Sequence, residues 1–288
     1  MISLYFSHLG IEELRNLEIK KNVDSPLSDI HLCQPGMQKS CGWCCGLYNT
    51  HNAEKNALVG KLRTRTKEFA RTDRNVTAIQ HFSEKTRKRE QSQLLDPEFY
   101  SCEFVGFLDG GENRVGCMLH PMAQGNQSID WRGLSFHGAM ACQGFFCRSY
   151  RELSSAEKWI ILETIHDWYL YGLVISDADY AKSFFRLIAE RLGRQIDPAN
   201  LVTSPASELV YEFFHWKIDW PHRNHDSNPI PCNFSPFPTV NQAIDGQESP
   251  EVMDMMFACL GSRFTSRAEY RSAQKRIDQL FSRLNKLV

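Results

Sequence analysis

The chain has 288 residues, 42% of them hydrophobic, with 33 Lys and Arg against 34 Asp and Glu. That length and apolar content support a packed core and exclude wholesale disorder. The balanced charge excludes a whole-molecule pull toward nucleic acid or acidic lipid, and no run approaches the ~18 apolar residues of a membrane span.

The first thirty residues suggest a short helix and then a loop: Ile11, Leu14 and Leu17 share one face, and Asp24-Ser-Pro26 ends the segment. The N-terminus lacks the basic and apolar blocks of a signal peptide, so the expected location is cytoplasmic, where thiols stay reduced. Clustered cysteines there point to metal before disulfides. From Cys33 to Tyr48 the chain is rich in Cys, Gly and Gln and has neither helical nor strand period. A stretch of that kind carries little apolar surface of its own, and a bound metal is the usual remedy.

Residues 53–95 predict helix in two pieces, broken near Asp73–Asn75. Within them, Lys61–Glu90 holds ten basic and four acidic residues, a net of +6. That segment offers either a nucleic-acid surface or a solvated helix face. No aromatic stacking pattern is interleaved there, which favours the solvated face. Strand-like pieces follow at Glu103–Leu108 and Val115–Leu119, joined by Asp109-Gly110-Gly111 as a hairpin turn.

From Ser154 onward the pattern is helical. Ser154 or Ser155 caps a predicted helix over 155–172 that contains Trp159, Ile160, Ile161, Ile165, Trp168 and Tyr169. Ala181–Leu192 and Ser204–Trp216 continue the pattern, residues 219–247 form a Pro/Asn/Ser-rich connection, and Ser266-Arg-Ala-Glu269 opens a last helix over 266–286. The fold class expected is mainly α, with an irregular cysteine-rich module containing short β-hairpin pieces. Residues 1–150 would form that module with its flanking helices, and residues 151–288 a helical region packed on it.

The chemistry concentrates in eight cysteines. Cys41-Gly-Trp-Cys44-Cys45-Gly46 contains a C-x-x-C turn that lets two thiolates converge, with glycines that let the backbone bend around an ion. Adjacent side chains diverge, so Cys44 and Cys45 can serve two sites, or one can stand behind the other. Cys33 loops back from eight residues upstream, and a hairpin would return Cys117 beside Cys102. Cys142 and Cys147 close the set. Eight thiols fit two four-cysteine sites, or one cluster with bystanders. Cys259 falls in an apolar helical run and reads as core, whereas Cys232 follows Pro229-Ile-Pro231 in a loop.

The order Cys33, Cys41-x-x-Cys44-Cys45, Cys102-x-Phe104, Gly116-Cys117, His120-Pro121, Cys142, Cys147 resembles the CxxCxxCC family of zinc- or iron-chelating proteins. The resemblance covers roughly residues 33–150. Three residues before Cys41 the chain has Gln38 where the family name asks for cysteine, which leaves Cys33 as the nearest candidate. The resemblance implies a metal, either zinc or an iron–sulfur cluster of the 4Fe-4S type. One C-x-x-C with scattered partners suits a cluster rather better than the paired knuckles of zinc sites. Phe104, Phe107, Phe145 and Phe146 would keep water from such a centre, and Lys39, Arg132, Arg148 and Arg151 would offset its charge.

Three functions compete. One is a metal-binding carrier, sensor or interaction module with an unknown protein partner or substrate. Another is a metalloenzyme whose helical half lines a cleft beside the metal; flagellin lysine-N-methylases carry a similar cysteine motif. The third is a nucleic-acid or protein adaptor with a structural zinc. His215, His222, His225 and Asp226 form a polar loop with aromatic anchors rather than a second ligand set, and His120 and His137 are ordinary hydrogen-bonded histidines, supporting donors or alternative ligands. No phosphate loop, serine nucleophile elbow or H-E-x-x-H occurs.

Overall fold

The computed structural model describes residues 30–36, 39–194, 196–224 and 251–288. The helix expected before residue 30, and Cys232, His225 and Asp226, lie outside the described residues. The architecture is mainly helical, with one two-stranded antiparallel sheet.

Helices α1 (Lys55–Ala70) and α2 (Val76–Glu90) break at Asp73–Asn75, as the sequence predicts. The Asn75 side chain starts α2 by accepting from Ala78 N–H at 2.9 Å. Strands β1 (Val105–Phe107) and β2 (Val115–Cys117) pair in register, Val105 opposite Cys117. Asp109 organises their turn by accepting from the backbone N–H of Asn113 and Arg114, both at 3.1 Å.

Two short helices, α3 (Gly138–Gly144) and α4 (Arg148–Glu152), carry the chain into the helical half. The single helix expected over 155–172 is two helices. Ser154 caps α5 (Ser155–Thr164) with a full capping box to Glu157, but Ile165 is extended and ends it. Asp167 then starts α6 (Trp168–Ser176), accepting from the N–H groups of Tyr169 and Leu170 at 2.9 and 3.0 Å. Asp167 is an N-cap that the run of apolar residues on either side hides from a periodicity reading. Next come α7 (Ala178–Leu192), α8 (Pro198–Val202), α9 (Ala206–Asp219), α10 (Glu251–Cys259) and α11 (Arg267–Asn285). Arg223 closes the end of α9, donating to the carbonyls of Trp216, Lys217 and Ile218 at 2.8–3.0 Å. Ser266 caps α11 by accepting from Glu269 N–H, while Glu269 turns to Thr265 N–H, so only half of the expected capping box forms.

Two hydrophobic cores result. The larger joins α5 to α11 and includes Leu32, Tyr180, Phe184, Phe213, Trp216, Phe281 and the fully buried Cys259. The smaller joins α1, α2 and the hairpin through Leu62, Phe69, Phe82, Phe104 and Val115. Helix α6 is buried on every face and serves both: Trp168, Tyr169 and Leu173 pack into the smaller core, and Leu170, Tyr171, Val174 and Ile175 into the larger. The cysteine segments carry more core than their lack of period implies, since Leu47, Tyr48, Phe104, Val105, Phe107, Val115, Met118 and Leu119 are all buried.

Candidate metal centre

The Cys41–Gly46 segment is a tight turn, with Gly46 N–H reaching Trp43 O at 2.7 Å and Leu47 N–H reaching Gly42 O at 3.2 Å. Gly46 has φ of +74°, and a Cβ there would stand 2.5 Å from Tyr100 O. Only glycine meets both demands. The close approach lets Cys102 N–H donate to Cys45 O at 2.8 Å and Ser101 Oγ to Gly46 O at 3.0 Å. The same loop is laced to β2: Val115 N–H donates to Ser40 Oγ at 2.7 Å, and Gln34 Nε2 donates to Val115 O at 2.7 Å. Cys33 is tied in by its carbonyl, which accepts from Cys41 N–H at 2.9 Å.

The thiols gather around this turn. Cys33, Cys41, Cys44 and Cys147 border one cavity of about 10 Å³, together with Leu32, Trp43, Ile175 and Ser176. The Cys44 thiol lies close enough to Cys33 and Cys45 for its ionisation to depend on them. Those two neighbours hold Cys44 down to about 3, whereas Cys33 is driven up first by Cys44, then by burial and the charges of Cys41, Cys44 and Cys147. Burial first, and then Cys44, raises Cys41. On the other side, Cys45 is raised by Cys44, by burial, and by Cys102 and Cys117. Cys102 is raised by burial and then by Cys117, and Cys117 sits at about 11, mainly through burial, with Cys142 adding to it. Cys142, on α3, is exposed. Such mutual opposition among buried thiols is what a bound cation relieves. Among the described residues, no set of three or more His, Cys, Asp or Glu side chains is disposed to hold a metal ion as it stands. The donor chemistry suits a thiophilic metal, and the backbone brings the donors together, but their side chains are not closed on a common point.

The supporting groups differ in part from those expected. Phe104 and Phe107 are buried, but Phe145 and Phe146 are 49% and 36% exposed and shield little. Arg132 feels Cys117 and Cys142 while forking onto Asp130 at 2.7 and 2.8 Å. Arg148 is taken up by Asp179 and Glu152, and Lys39 is lowered by burial, with Glu163 opposing in part. The sequence reading missed two cations. Lys158 is 5% exposed, lies 4.4 Å from the Tyr150 ring and feels Cys147. Arg65 is 2% exposed and donates to Cys102 O at 2.9 Å and Val105 O at 3.3 Å. The signal for Arg65 was available: it falls on the face of α1 that also carries Leu58, Leu62 and Phe69. His137 acts on Cys44 and packs edge-on to Tyr100, while His120 Nδ1 accepts from Met122 N–H at 3.1 Å.

Six of the ten basic residues in the 61–90 segment stand in ion pairs. Arg65 and Lys61 pair with Glu90, Arg63 with Glu112, Lys85 and Arg89 with Glu68, and Arg87 with Glu103. A cleft of about 270 Å³ opens between α9 and α11, lined by Pro205, Glu208, Leu209, Arg283, Lys286 and Leu287, and no cysteine borders it. His215 pairs with Asp219 at 3.3 Å, and His222 packs against Trp220 and Phe264. Among the described residues, no helix is long and apolar enough to cross a membrane. No protein-family profile, curated protein or solved structure matches the chain.

Proposed function

We propose that this protein binds metal through its cysteine thiolates and that the metal holds the Cys33–Tyr48 loop against the hairpin. The observation that carries the reading is the cavity bordered by Cys33, Cys41, Cys44 and Cys147, beside a second group of thiols on the far side of the same turn. Buried thiols in ordinary cores pack against apolar side chains, as Cys259 does in the larger core. These thiols, besides being buried, act on one another.

The metal is zinc or an iron–sulfur cluster. The Cys33 cavity has room for about one atom, which favours a single ion, because a tetrahedral ion draws its four sulfurs in to about 2.3 Å. The dry wall of Phe104, Val105, Phe107 and Val115 behind Cys102 favours a cluster on the hairpin side. Side-chain rotation of the cysteines would complete either site. The resemblance to zinc- or iron-chelating proteins supports the same reading. An enzyme using the metal would need an ionisable cleft beside it, and the 270 Å³ cleft has no thiol in its wall.

Elemental analysis and a visible spectrum of protein purified without oxygen test the proposal. Stoichiometric zinc, or iron with sulfide and a brown chromophore, is the expected result. Cys44→Ser should lower metal content and melting temperature together. Metal-free wild-type protein that remains folded would refute the reading.

A further inference from the structure

Eight thiols around one turn can make one centre with bystanders or two centres of four. We infer that this chain builds two: a first from Cys33, Cys41, Cys44 and Cys147, and a second from Cys45, Cys102, Cys117 and Cys142. The inference rests on the metal-binding reading above and adds an assignment for each ligand.

Three observations divide seven of the eight at the same place, and Cys142 joins the second group through its influence on Cys117. The cavity that Cys33, Cys41, Cys44 and Cys147 border excludes the other four. The two cores divide in the same way, for Cys41 and Cys147 pack against the larger, and Cys45, Cys102 and Cys117 belong to the smaller or pack against it. The backbone bonds agree as well. Cys33 O is held by Cys41 N–H, whereas Cys45 O is held by Cys102 N–H, and the sheet register sets Cys117 across from Val105, three residues beyond Cys102. The boundary therefore falls on the peptide bond between Cys44 and Cys45. Consecutive side chains leave the backbone in different directions, so the doubled cysteine at the end of C-x-x-C-C supplies one ligand to each side. The two centres meet at that junction.

Charge supports two sites as well. A divalent ion with four thiolates is doubly negative, so two sites need two sets of compensating groups. Lys158 and His137 act on the first group, through Cys147 and Cys44. Arg65 and Arg132 stand by the second, near Cys102 and near Cys117 and Cys142, with Glu90 and Asp130 taking part of their charge. A divalent ion enters by displacing to solvent the protons of those thiols that still carry one, with no change of oxidation state. Cys142 is the exposed member of the second group, so metal exchange with solvent runs through that side.

The test is the stoichiometry of the full chain purified without oxygen, with zinc, iron and sulfide counted in wild type, Cys147→Ser, Cys117→Ser and the double variant. Two centres in the wild type, one in each single variant and none in the double are expected. A single centre in the wild type, or both centres lost together in each single variant, overturns the division and leaves the metal-binding reading standing. No metal in the wild type overturns that reading itself. Titration of reduced, metal-free wild type with Co²⁺ needs no variant. An endpoint at two ions, each with the absorption of four thiolates, supports the division, and an endpoint at one ion overturns it.

Discussion

Replacing Arg65 by Met should unseat the hairpin side of the cysteine cluster without touching a thiol. The guanidinium is 2% exposed and donates to Glu90, with Nε at 3.1 and 3.2 Å from the two carboxylate oxygens, and to the carbonyls of Cys102 and Val105. Met preserves much of the side-chain volume but removes every donor. Two carbonyls then lose their partner, each at about 1–3 kcal/mol if water cannot reach them. Breaking a buried pair by deleting one member costs about 3–5 kcal/mol. These terms overlap, and Lys61 and Arg89 still face Glu90 at 3.2 and 3.1 Å, so a loss of about 3–4 kcal/mol is expected. Denaturant unfolding with and without bound metal measures it. A double-mutant cycle with Glu90→Gln separates the ion pair from the two carbonyl bonds. If Arg65→Met costs less than about 1 kcal/mol, the range of an ordinary surface change, Arg65 does not support the hairpin.

Three further outcomes are expected. Burial opposes ionisation of Glu90, but Arg65 and Lys61 outweigh it and lower the carboxyl from 4.5 to about 2. Its folded value lies below its unfolded one, so its stabilisation is complete above pH 4.5 and disappears as pH falls toward 2, up to about 3 kcal/mol, and Glu90→Gln should flatten that part of the acid-unfolding curve. Gly46→Ala should cost about 2 kcal/mol or more, because it combines a left-handed backbone with a Cβ against Tyr100 O, and hydrogen exchange should show the Cys102 amide opening. Duplex DNA and RNA should show no salt-dependent binding at physiological ionic strength, since most of the basic charge on α1 and α2 already faces carboxylates; micromolar binding lost on Lys85→Ala and Arg87→Ala would contradict this.

Local chemistry made several elements legible. Asp73–Asn75 announced the break between α1 and α2, Asp109-Gly110-Gly111 the hairpin, and Ser154 and Ser266 the starts of α5 and α11. The stop at Ile165 was not legible, because an apolar helix buried all round has no polar face to mark its register, and Asp167 passes for an isolated acid. The cysteines could be gathered from their order, but which core each flanking segment joins is encoded by no local pattern. The partners of the basic residues were invisible for the same reason: Glu103 and Glu112 lie in a different segment from Arg87 and Arg63.

Helix α6 has a consequence for anyone dividing this chain. Its eight residues from Trp168 to Ile175 are all buried, and Tyr48 reaches across to it, donating from its hydroxyl to Tyr169 O at 3.2 Å over 121 residues of sequence. A Cβ on Gly172 would stand 2.0 Å from that hydroxyl, so the two segments fit with no room for a spacer. A fragment ending near residue 150 would leave Tyr48 and Phe107 without their lid, and the complementary fragment would present Trp168, Tyr169 and Leu173 as an uncovered apolar stripe. Expressed separately, both pieces would be sticky; expressed together, they have a ready-made surface on which to reassemble.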